Sequence, residues 1–481
     1  MDTPDVQGEV TQPDAMLGLA EARCPEPVEG PRPEPVEGLI CVWATPEAGQ
    51  AARTQVCHVP VAERLLRVLQ HAGLRRVAIV ATSDNEMALR QTLHNIDGVG
   101  LDIHWIIVQP PDLSALGSCL EPAPEVPVLV VEGAYLLDPR IVQAVVGRGG
   151  CAVAYDSRPS VGAPVGVHVD GGRLRRIGGR PTDADGAYVG LVLCPRTWLA
   201  EFQGPWEEGA WLSWLDGLAR ARSIVAVDVQ EIEPYVAESR RALPPFWFRI
   251  QEPADAARCK DRLVEQAQKG TLDLIAWYVH RPIENWIVRH IADLPITPNQ
   301  MSLLTSLVAF GVTGLFLTGH LLPGILLALV VNVMDGLDGK LARVKGLTSR
   351  LGSLEHSFDC LYEQSWYIAF AWAMYQRTGT LLPLLLGVVM LLFDTFARHV
   401  SMQFKQVMGV SLADSAPVDR LFRRFDGRRN IYSLHMLVTI LLGIPLVASF
   451  TMPLHAAVTA VVYVTRAGWH LRRADRGVGR V

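Results

Sequence analysis

The sequence predicts an α/β domain followed by an all-α domain of six transmembrane helices. Between residues 39 and 250, short apolar runs alternate with amphipathic segments, a pattern typical of a mostly parallel sheet with helices on its faces. After about Gln300 the chain contains long uncharged runs, each near the roughly 20 residues that a helix needs to cross a bilayer. With 481 residues, the chain is long enough for two or three domains.

Residues 1–37 are predicted to form a disordered tail. The hexapeptide PEPVEG occurs at 25–30 and again at 33–38, and segments this rich in Pro and Glu do not bury enough apolar surface to fold. The first ten residues, MDTPDVQGEV, are acidic and contain no apolar core, which predicts that the chain carries no signal peptide.

The composition excludes some classes of function. A formal net charge of −5 argues against a general nucleic-acid binder, so no nucleic-acid partner is expected. The 8 cysteines show no CxxC pair and no paired spacing, and we interpret them as reduced thiols of a cytosolic or membrane-embedded protein.

Residues 38–252 are predicted to form the α/β domain. Three segments, 61–73, 86–96 and 139–147, have the periodicity of amphipathic helices. A hairpin is expected over 165–179, around Asp170-Gly171-Gly172. The remaining apolar runs predict strands at 39–44, 76–81, 103–108, 127–134 and 187–195.

Residues 253–297 are predicted to connect this domain to the membrane. The first part, ADAARCKDRLVEQAQKG, has the spacing of a soluble amphipathic helix. The following segment, 273–294, mixes Trp, Tyr, Arg and His with aliphatic residues, which suits a helix lying in the membrane interface. The alternative is a helix packed against the soluble domain.

Residues 298–481 are predicted to form the membrane domain. Its basic residues cluster in alternate loops, and the positive-inside bias therefore places both termini on the cytosolic side of the cytoplasmic (inner) membrane. We accordingly expect a multi-pass protein with its soluble domain in the cytosol. The predicted spans are 301–319, 321–339, about 358–375, 381–397, 431–450 and 453–469.

A stretch that carries acidic, basic and small residues in close order runs from Asp335 to Asp359, from the end of the second predicted span to the start of the third. On a helix, Asp335 and Asp338 share one face, and so do Glu355 and Asp359. Carboxylates at the rim of a membrane segment are costly unless a cation or substrate offsets their charge. The stretch therefore predicts a divalent-metal site that handles a phosphate-bearing substrate. The alternative is a proton relay or an ion pair with Arg343.

This stretch resembles the signature of the CDP-alcohol phosphotransferase family, D-x2-D-G-x2-A-R-x8-G-x3-D-x3-D. Six positions match at the family's spacing: Asp335, Asp338, Gly339, Ala342, Arg343 and Gly352. The next two acidic residues, Glu355 and Asp359, come one residue early, and strict register would place His356 and Cys360 there instead. We prefer a one-residue deletion, because it keeps two carboxylates on one helix face.

The resemblance implies roles for these residues. Asp335, Asp338 and Glu355 would bind Mg²⁺ or Mn²⁺, with Asp359 shared between two ions and acting as the general base on the acceptor hydroxyl. Gly339, Ala342, Arg343 and Gly352 would bind the cytidine nucleotide and its phosphates; for the Gly and Ala, tight helix packing is the alternative. The family often dimerises through its spans, which leaves a homodimer open.

A basic cluster, FRRFDGRRNIY, precedes the fifth predicted span. In the family, basic residues at this place can bind a phosphate of the acceptor. Ordinary positive-inside topology with contact to anionic lipids explains the cluster equally well. The candidates are Arg423, Arg424, Arg428 and Arg429.

The α/β domain resembles sugar-nucleotide-type nucleotidyltransferases across roughly 210 residues, and is predicted to be inactive. The family's Gly-rich phosphate loop corresponds to TPEAGQAARTQ at 45–55, which has one glycine. The family's metal-binding Asp corresponds to Glu132-Gly133-Ala134, and a later Asp falls near Gln251. Without those carboxylates and an open loop, cytidylyltransferase chemistry is not expected. The two-part arrangement is similar to fused inositol-phosphate cytidylyltransferase and di-inositol-phosphate phosphate synthase enzymes.

The function predicted from the sequence is transfer of a substituted phosphate group from a CDP-alcohol to an acceptor hydroxyl, with release of CMP. The partners expected are a CDP-alcohol donor, an alcohol or phospho-alcohol acceptor, and membrane lipids. One alternative is a non-catalytic membrane protein whose soluble domain binds nucleotides or acts as a scaffold. A transporter is disfavoured, because the acidic cluster lies at span ends and not at mid-membrane.

Overall fold

The computed structural model describes residues 37–93, 100–108, 127–159, 165–236, 239–270, 273–348 and 351–478. Side chains are described in the same ranges, except at positions 253, 351, 353, 355, 477 and 478. Most of the predicted tail lies outside the described residues. The last two residues of the second PEPVEG copy, Glu37 and Gly38, already belong to the first strand.

The N-terminal domain is built on a nine-stranded sheet. In chain order its strands are β1 (Glu37–Cys41), β2 (Arg76–Thr82), β3 (Asp102–Val108), β4 (Pro127–Glu132), β5 (Ala152–Asp156), β6 (Gly166–Asp170), β7 (Arg173–Ile177), β8 (Gly186–Pro195) and β9 (Val225–Asp228). Their spatial order is β3-β2-β1-β4-β8-β5-β9-β7-β6. Strands β1 to β4 pair in parallel, whereas β8 is antiparallel to both β4 and β5. The sheet is therefore parallel in one half and mixed in the other.

Helices cover both faces of this sheet, and successive side chains of β1 point to opposite faces, as the period of a strand requires. Ile40 packs with Leu65 on one face, and Leu39 packs with Trp211 on the other. The helices are α1 (Pro46–Arg53), α2 (Val61–His71), α3 (Ser83–Thr92), α4 (Pro139–Arg148), α5 (Arg196–Leu199) and α6 (Glu208–Ala221). Three short strand pairs complete the domain: Gln55–Val56 with Val59–Pro60, Tyr135–Leu137 with Trp247–Arg249, and Tyr235–Val236 with Arg241–Ala242.

The connector contains helix α7 (Pro253–Gln266), a π-helical turn at Ala276–His280 and helix α8 (Arg281–Ile291). One side of α8 packs into the core through Val288, which is fully buried. On its other side Trp286 is 63% exposed, and Tyr278 of the preceding turn is 67% exposed. The connector thus packs against protein on one side and presents aromatic side chains on the other, which suits a membrane interface.

The C-terminal domain is helical. Its helices are α9 (Pro298–Leu317), α10 (Leu321–Lys345), α11 (Glu355–Thr378), α12 (Leu382–Met408), α13 (Pro417–Phe422), α14 (Arg429–Leu441) and α15 (Leu446–Val478). Among the described residues, α9, α10, α12 and α15 are long and apolar enough to cross a membrane. Large apolar side chains such as Leu303, Leu307 and Leu385 are more than 60% exposed on these helices. Such a surface is expected to contact lipid.

The fifth predicted span differs most from the structure. Residues 431–450 do not form one helix, because α14 has 13 residues and ends at Leu441, and the next helix begins at Leu446. Between them, Gly443 has a φ of +74°, which ends a right-handed helix, and Pro445 directly precedes the new one. The structure confirms four candidate spans, not the predicted six.

The two domains share one hydrophobic core. Leu337, Leu341 and Val344, near the end of α10, belong to the same buried cluster as the inner residues of the sheet and α2. The side chain of Arg64, on α2, reinforces this contact: its Nη2 donates to the carbonyl oxygen of Val344 at 2.8 Å. The carbonyl end of α10 is therefore held against the N-terminal domain.

Candidate active site

A cavity of about 610 Å³ lies where the connector meets the C-terminal domain. Its volume falls in the range of small-molecule binding sites. The predicted site residues on its wall are Asp335, Asp338, Gly339, Ala342, Arg343, Gly352, Asp359, Arg423, Arg428 and Arg429. The structure thus brings the acidic stretch and most of the basic cluster to one place.

Two of the predicted site residues are not part of this wall as described. Glu355 is the first residue of α11, and its side chain lies outside the described ones. The side chain of Arg424 is exposed. Its backbone carbonyl oxygen accepts a hydrogen bond from the Leu274 amide at 3.3 Å. Because α13 ends at Phe422, the chain turns here and points Arg423 and Arg424 in different directions.

The carboxylate of Asp335 is held by two groups. The hydroxyl of Tyr362 donates to Oδ1 at 2.8 Å, and Nη1 of Arg429 donates to the same oxygen at 3.1 Å. Nη2 of Arg429 also donates to Oδ2. Arg429 in turn forms an ion pair with Glu363 at 3.3 Å, and Arg398 joins Glu363 to Asp394. These charges form one continuous network along the cavity wall.

Asp338 is almost completely buried, at 2% exposure. The Ser302 hydroxyl donates to its Oδ2 at 2.8 Å, and the Gly339 amide donates to Oδ1 at 2.6 Å. A buried carboxylate is retained at this depth only when such donors compensate its loss of hydration. The cost of burial indicates that Asp338 has a function beyond packing.

Asp359 lies on the face of α11 that borders the cavity, with Nδ1 of His356 3.5 Å from its Oδ2. Glu363, one helical turn further, lines the same wall. The sequence reasoning missed Glu363, although its spacing of four from Asp359 could have revealed it. The structure therefore adds Glu363 to the cavity-lining face of α11 that carries Asp359.

The donor set has the chemistry of a Mg²⁺ or Mn²⁺ site, because three carboxylates, Asp335, Asp338 and Asp359, line one cavity. Within the described part of the chain, however, no group of three His, Cys, Asp or Glu residues is close enough to share one ion. Asp335 is bound by Arg429 and Tyr362, and both oxygens of Asp338 accept hydrogen bonds. These carboxylates are of the chemical type that binds such an ion, but they are not arranged around a single point.

The glycines of the motif have different surroundings. A Cβ added to Gly336 would lie 2.4 Å from Oε1 of Glu284, so that glycine permits close packing of α10 against α8. A Cβ added to Gly339 would meet only the Arg343 guanidinium, at 3.4 Å, an ordinary contact. Gly339 therefore borders the cavity, and its backbone is open to a ligand. Arg343 Nε donates to the carbonyl oxygen of Ala267 at 2.6 Å, which fixes it to the connector.

In the N-terminal domain, the position of the expected metal ligand is enclosed by indole rings. Glu132, at the end of β4, is 2% exposed and accepts a hydrogen bond from Nε1 of Trp43 at 3.2 Å. The Trp43 ring lies 4.8 Å from that of Trp206 and 5.9 Å from that of Trp211. Thr45 caps α1 at the place where a Gly-rich loop would run. The carboxylate of Glu132 is therefore buried among side chains and has almost no contact with solvent.

Burial raises the pKa of the Glu132 carboxyl from 4.5 to about 7; the nearby Glu208 adds to this shift and Arg249 opposes it. Because the folded state favours the protonated form, the contribution of this carboxyl to stability is greatest below pH 4.5 and is lost as the pH rises from 4.5 to about 7, by roughly 3 kcal/mol in total. Glu132→Gln should remove this pH dependence and be more stable than the wild type at pH 8. Thermal unfolding at pH 5 and at pH 8, followed by tryptophan fluorescence, measures the stability of the variant and of the wild type. Glu47→Gln, at an exposed position of α1, should behave as the wild type.

Residues 295–462 match the family model described as CDP-alcohol phosphatidyltransferase. The C-terminal half of the chain carries a CDP-alcohol phosphatidyltransferase domain. The matched range contains the whole of the acidic stretch and the basic cluster, so the family predicted for this half is confirmed. The phosphatidyltransferase domain includes α9 to α14, while Arg240 and the connector lie outside the match.

Three relatives extend the comparison. A Rubrobacter xylanophilus protein named bifunctional IPC transferase and DIPP synthase is 28% identical over 214 residues, 43% of this chain and 46% of its own. Its namesake from Thermococcus kodakarensis is 28% identical over 349 residues, 69% of this chain and 74% of its own. Archaetidylinositol phosphate synthase of Pyrococcus horikoshii is 37% identical over 89 residues, 18% of this chain and 46% of its own. The chain thus spans about half the length of the Rubrobacter protein.

The Thermococcus alignment covers more of the chain than the phosphatidyltransferase domain alone, and so extends into the N-terminal domain. The predicted resemblance to a two-part enzyme is thereby confirmed. Among solved structures, the inositol-1-phosphate CTP transferase of T. maritima matches with a TM-score of 0.36 at 12% identity, covering 46% of this chain and 90% of its own. Apo UDP-glucose pyrophosphorylase matches with a TM-score of 0.35 at 11% identity, covering 46% and 96%.

Proposed function

We propose that the protein is an integral-membrane CDP-alcohol phosphotransferase. It moves a substituted phosphate group from a CDP-alcohol to an acceptor hydroxyl and releases CMP. The observation that carries this proposal is that Asp335, Asp338 and Asp359 of the phosphatidyltransferase domain line one cavity together with arginines. Such a site combines groups for a cationic cofactor, a proton and a phosphate. The names of the relatives favour a phosphoinositol-type product.

Each group has a role in this reaction. Asp359 removes the proton of the acceptor hydroxyl as that oxygen attacks phosphorus, and CMP departs with the electrons of the broken P–O bond. Gly339 and Ala342 leave the helix backbone accessible to the nucleotide, and Arg343 and Gly352 border its phosphates. A divalent cation, Mg²⁺ or Mn²⁺, bound by Asp335, Asp338, Glu355 and Asp359, would supply charge that neutralises the diphosphate.

The membrane arrangement is part of the proposal. Helices α11 and α14 join the four apolar helices as spans, because both pack inside the same bundle through residues such as Trp366 and Tyr432. The basic residues of the cavity then lie on the cytosolic side of the cytoplasmic membrane, together with the soluble domain. The oligomeric arrangement consistent with this domain is a homodimer formed through the spans.

The burial of Glu132 against Trp43 supports an N-terminal domain without cytidylyltransferase activity. The donor is then a CDP-alcohol made elsewhere, either CDP-diacylglycerol or a soluble CDP-polyol, and the acceptor is an alcohol or a phospho-alcohol. The alternative of a non-catalytic membrane protein predicts no CMP from any of these donors.

The proposal is tested by screening labelled CDP-alcohols against membranes that contain the full chain. Release of CMP is expected with Mg²⁺ or Mn²⁺, and chelation by EDTA should lower the rate by more than about tenfold, with recovery when either ion is added back. Membranes prepared without the protein provide the background rate. The absence of CMP with every donor and with both ions would favour the non-catalytic alternative.

A further inference from the structure

Part of the cavity wall comes from outside the phosphatidyltransferase domain. Arg240, Gln268, Lys269, Asp273 and His280 line the cavity, and all of them precede residue 295, where the family match begins. These residues belong to the end of the N-terminal domain and to the connector. The cavity is therefore closed on one side by residues that precede the range matched by the family model.

Hydrogen bonds hold this segment in place over the cavity. Asp273 accepts from the Ala276 amide at 2.9 Å through Oδ1 and from Nδ2 of Asn430 at 2.9 Å through Oδ2. The Leu274 amide donates to the Arg424 carbonyl oxygen at 3.3 Å. The connector is thus tied to the loop that carries the arginine cluster, and its polar side chains keep a fixed position relative to that cluster.

The backbone at Arg240 is also constrained. Its φ is +52°, a left-handed conformation that is uncommon for residues other than glycine. The Gly270 amide donates to the Ser239 carbonyl oxygen at 2.8 Å, and a Cβ on Gly270 would lie 2.4 Å from the Arg240 carbonyl oxygen. This close approach brings Arg240 beside Lys269, so that two cations from separate segments reach the same wall.

These cations lie near the arginines of the phosphatidyltransferase domain. Burial lowers the pKa of the Arg240 guanidinium; Asp414 opposes this shift, and Arg428 and Arg423 add to it. The three guanidinium groups are therefore within electrostatic reach of one another. Arg423 and Arg428 share a single carboxylate, that of Asp426, at 2.9 and 3.1 Å. The closest approach of Arg240 to Asp414 is 3.9 Å. Positive charge is concentrated at this end of the cavity.

Several buried polar atoms of the cavity lining are left without a hydrogen-bond partner among the described atoms. They include Nε of Arg423, in a residue 7% exposed, and Oε1 of Gln268, in a residue 2% exposed. A buried polar group without a partner is costly, and in native proteins it commonly marks a place where a ligand or water binds. An unsatisfied guanidinium N–H is a donor suited to an anion.

We propose that Arg240 and Lys269 complete, with Arg423 and Arg428, an anion subsite that binds a phosphate group of a substrate. The N-terminal part of the chain then contributes binding residues to the membrane active site. This inference rests on the proposed function, because that function supplies the two candidate phosphates. One is the diphosphate of the CDP-alcohol, and the other is the phosphate of a phosphorylated acceptor.

The variant Arg240→Gln tests the subsite by steady-state kinetics of CMP release. We expect KM to rise about tenfold for the substrate whose phosphate binds here, because one charge-assisted hydrogen bond is lost, while kcat changes little. A rise in the donor KM assigns the subsite to the diphosphate, and a rise in the acceptor KM assigns it to the acceptor. The matched control is Arg241→Gln, since Arg241 donates to the Glu265 carbonyl oxygen at 3.0 Å and does not line the cavity.

A binding measurement separates the subsite from the reaction. Calorimetric titration of the detergent-solubilised full chain with inorganic pyrophosphate should show binding that weakens about tenfold or more in the double variant Arg240→Gln, Lys269→Gln. If no donor yields CMP but the double variant weakens binding, the proposed function is wrong and the subsite stands. If CMP is released and neither KM nor pyrophosphate binding changes in correctly folded variants, the subsite is refuted while the function stands.

Discussion

Replacing Asp359 by Asn is expected to lower kcat for CMP release by about 10²–10⁴-fold, the usual contribution of a general base. The amide has nearly the same shape as the carboxylate but does not accept the proton of the acceptor hydroxyl. The KM of the donor should change much less than kcat, because the arginines and the backbone at Gly339 remain. Initial rates in reconstituted vesicles, at saturating and limiting donor, separate the two parameters.

The matched control for this variant is Asp475→Asn, which makes the same chemical change at an exposed position of α15. It should keep the wild-type rate. Glu363→Gln distinguishes the two carboxylates on the cavity face of α11: Glu363 is paired with Arg398 and Arg429, so its loss should reduce stability before it reduces kcat selectively. A rate for Asp359→Asn above about a tenth of the wild-type value would exclude Asp359 as the base.

Replacing Arg429 by Gln is expected to lower the free energy of unfolding by about 3–5 kcal/mol, as the loss of one partner of a buried ion pair does. The Arg429 side chain is 11% exposed and lies between two carboxylates, those of Asp335 and Glu363. Without the guanidinium, these largely buried carboxylates lose their shared cation, and among the described residues Asp335 keeps the Tyr362 hydroxyl and Glu363 keeps Arg398. Chemical unfolding of the protein in detergent micelles measures the change.

Arg424→Gln provides the comparison, because it removes the same group from the same basic cluster at an exposed position. Its effect should lie within about 0.5 kcal/mol of zero. Equal stability losses in the two variants would show that net charge in the cluster, and not the Asp335–Arg429–Glu363 network, stabilises this part of the protein.

The helices and strands that were predicted best from the sequence are those with a strong local pattern of apolar residues. The predicted helix at 61–73 is observed as Val61–His71, and the predicted strand at 76–81 as Arg76–Thr82. Strand β5, with the short run AVAYD, and helix α6, whose Trp211 and Leu215 face the core, were not predicted. Their patterns become meaningful only when the neighbouring strands are in place, since tertiary packing decides short apolar runs.

The sequence predicted which residues form the site better than it predicted how those residues are arranged. The motif resemblance identified Asp335, Asp338 and, through a one-residue deletion, Asp359, which meet at one cavity because α10 and α11 both pack against α9. No local pattern marked Glu284, although it reaches Gly336 and pairs with Lys340 at 2.8 Å. Arg240 was not predicted either, because its approach to the cavity depends on a turn of the backbone and on contacts between residues distant in sequence.

The hydrophobic core common to the sheet and the end of α10 restricts how substrates reach the cavity. Opening the site by separating the two domains would expose Leu337, Leu341 and Val344 to water and break the hydrogen bond from Arg64. Each fully buried aliphatic side chain of this kind is worth about 1.5–3 kcal/mol, so such a separation is costly. The border between the domains is not a hinge. Donor and acceptor must enter, and CMP must leave, through the mouth that the cavity already has.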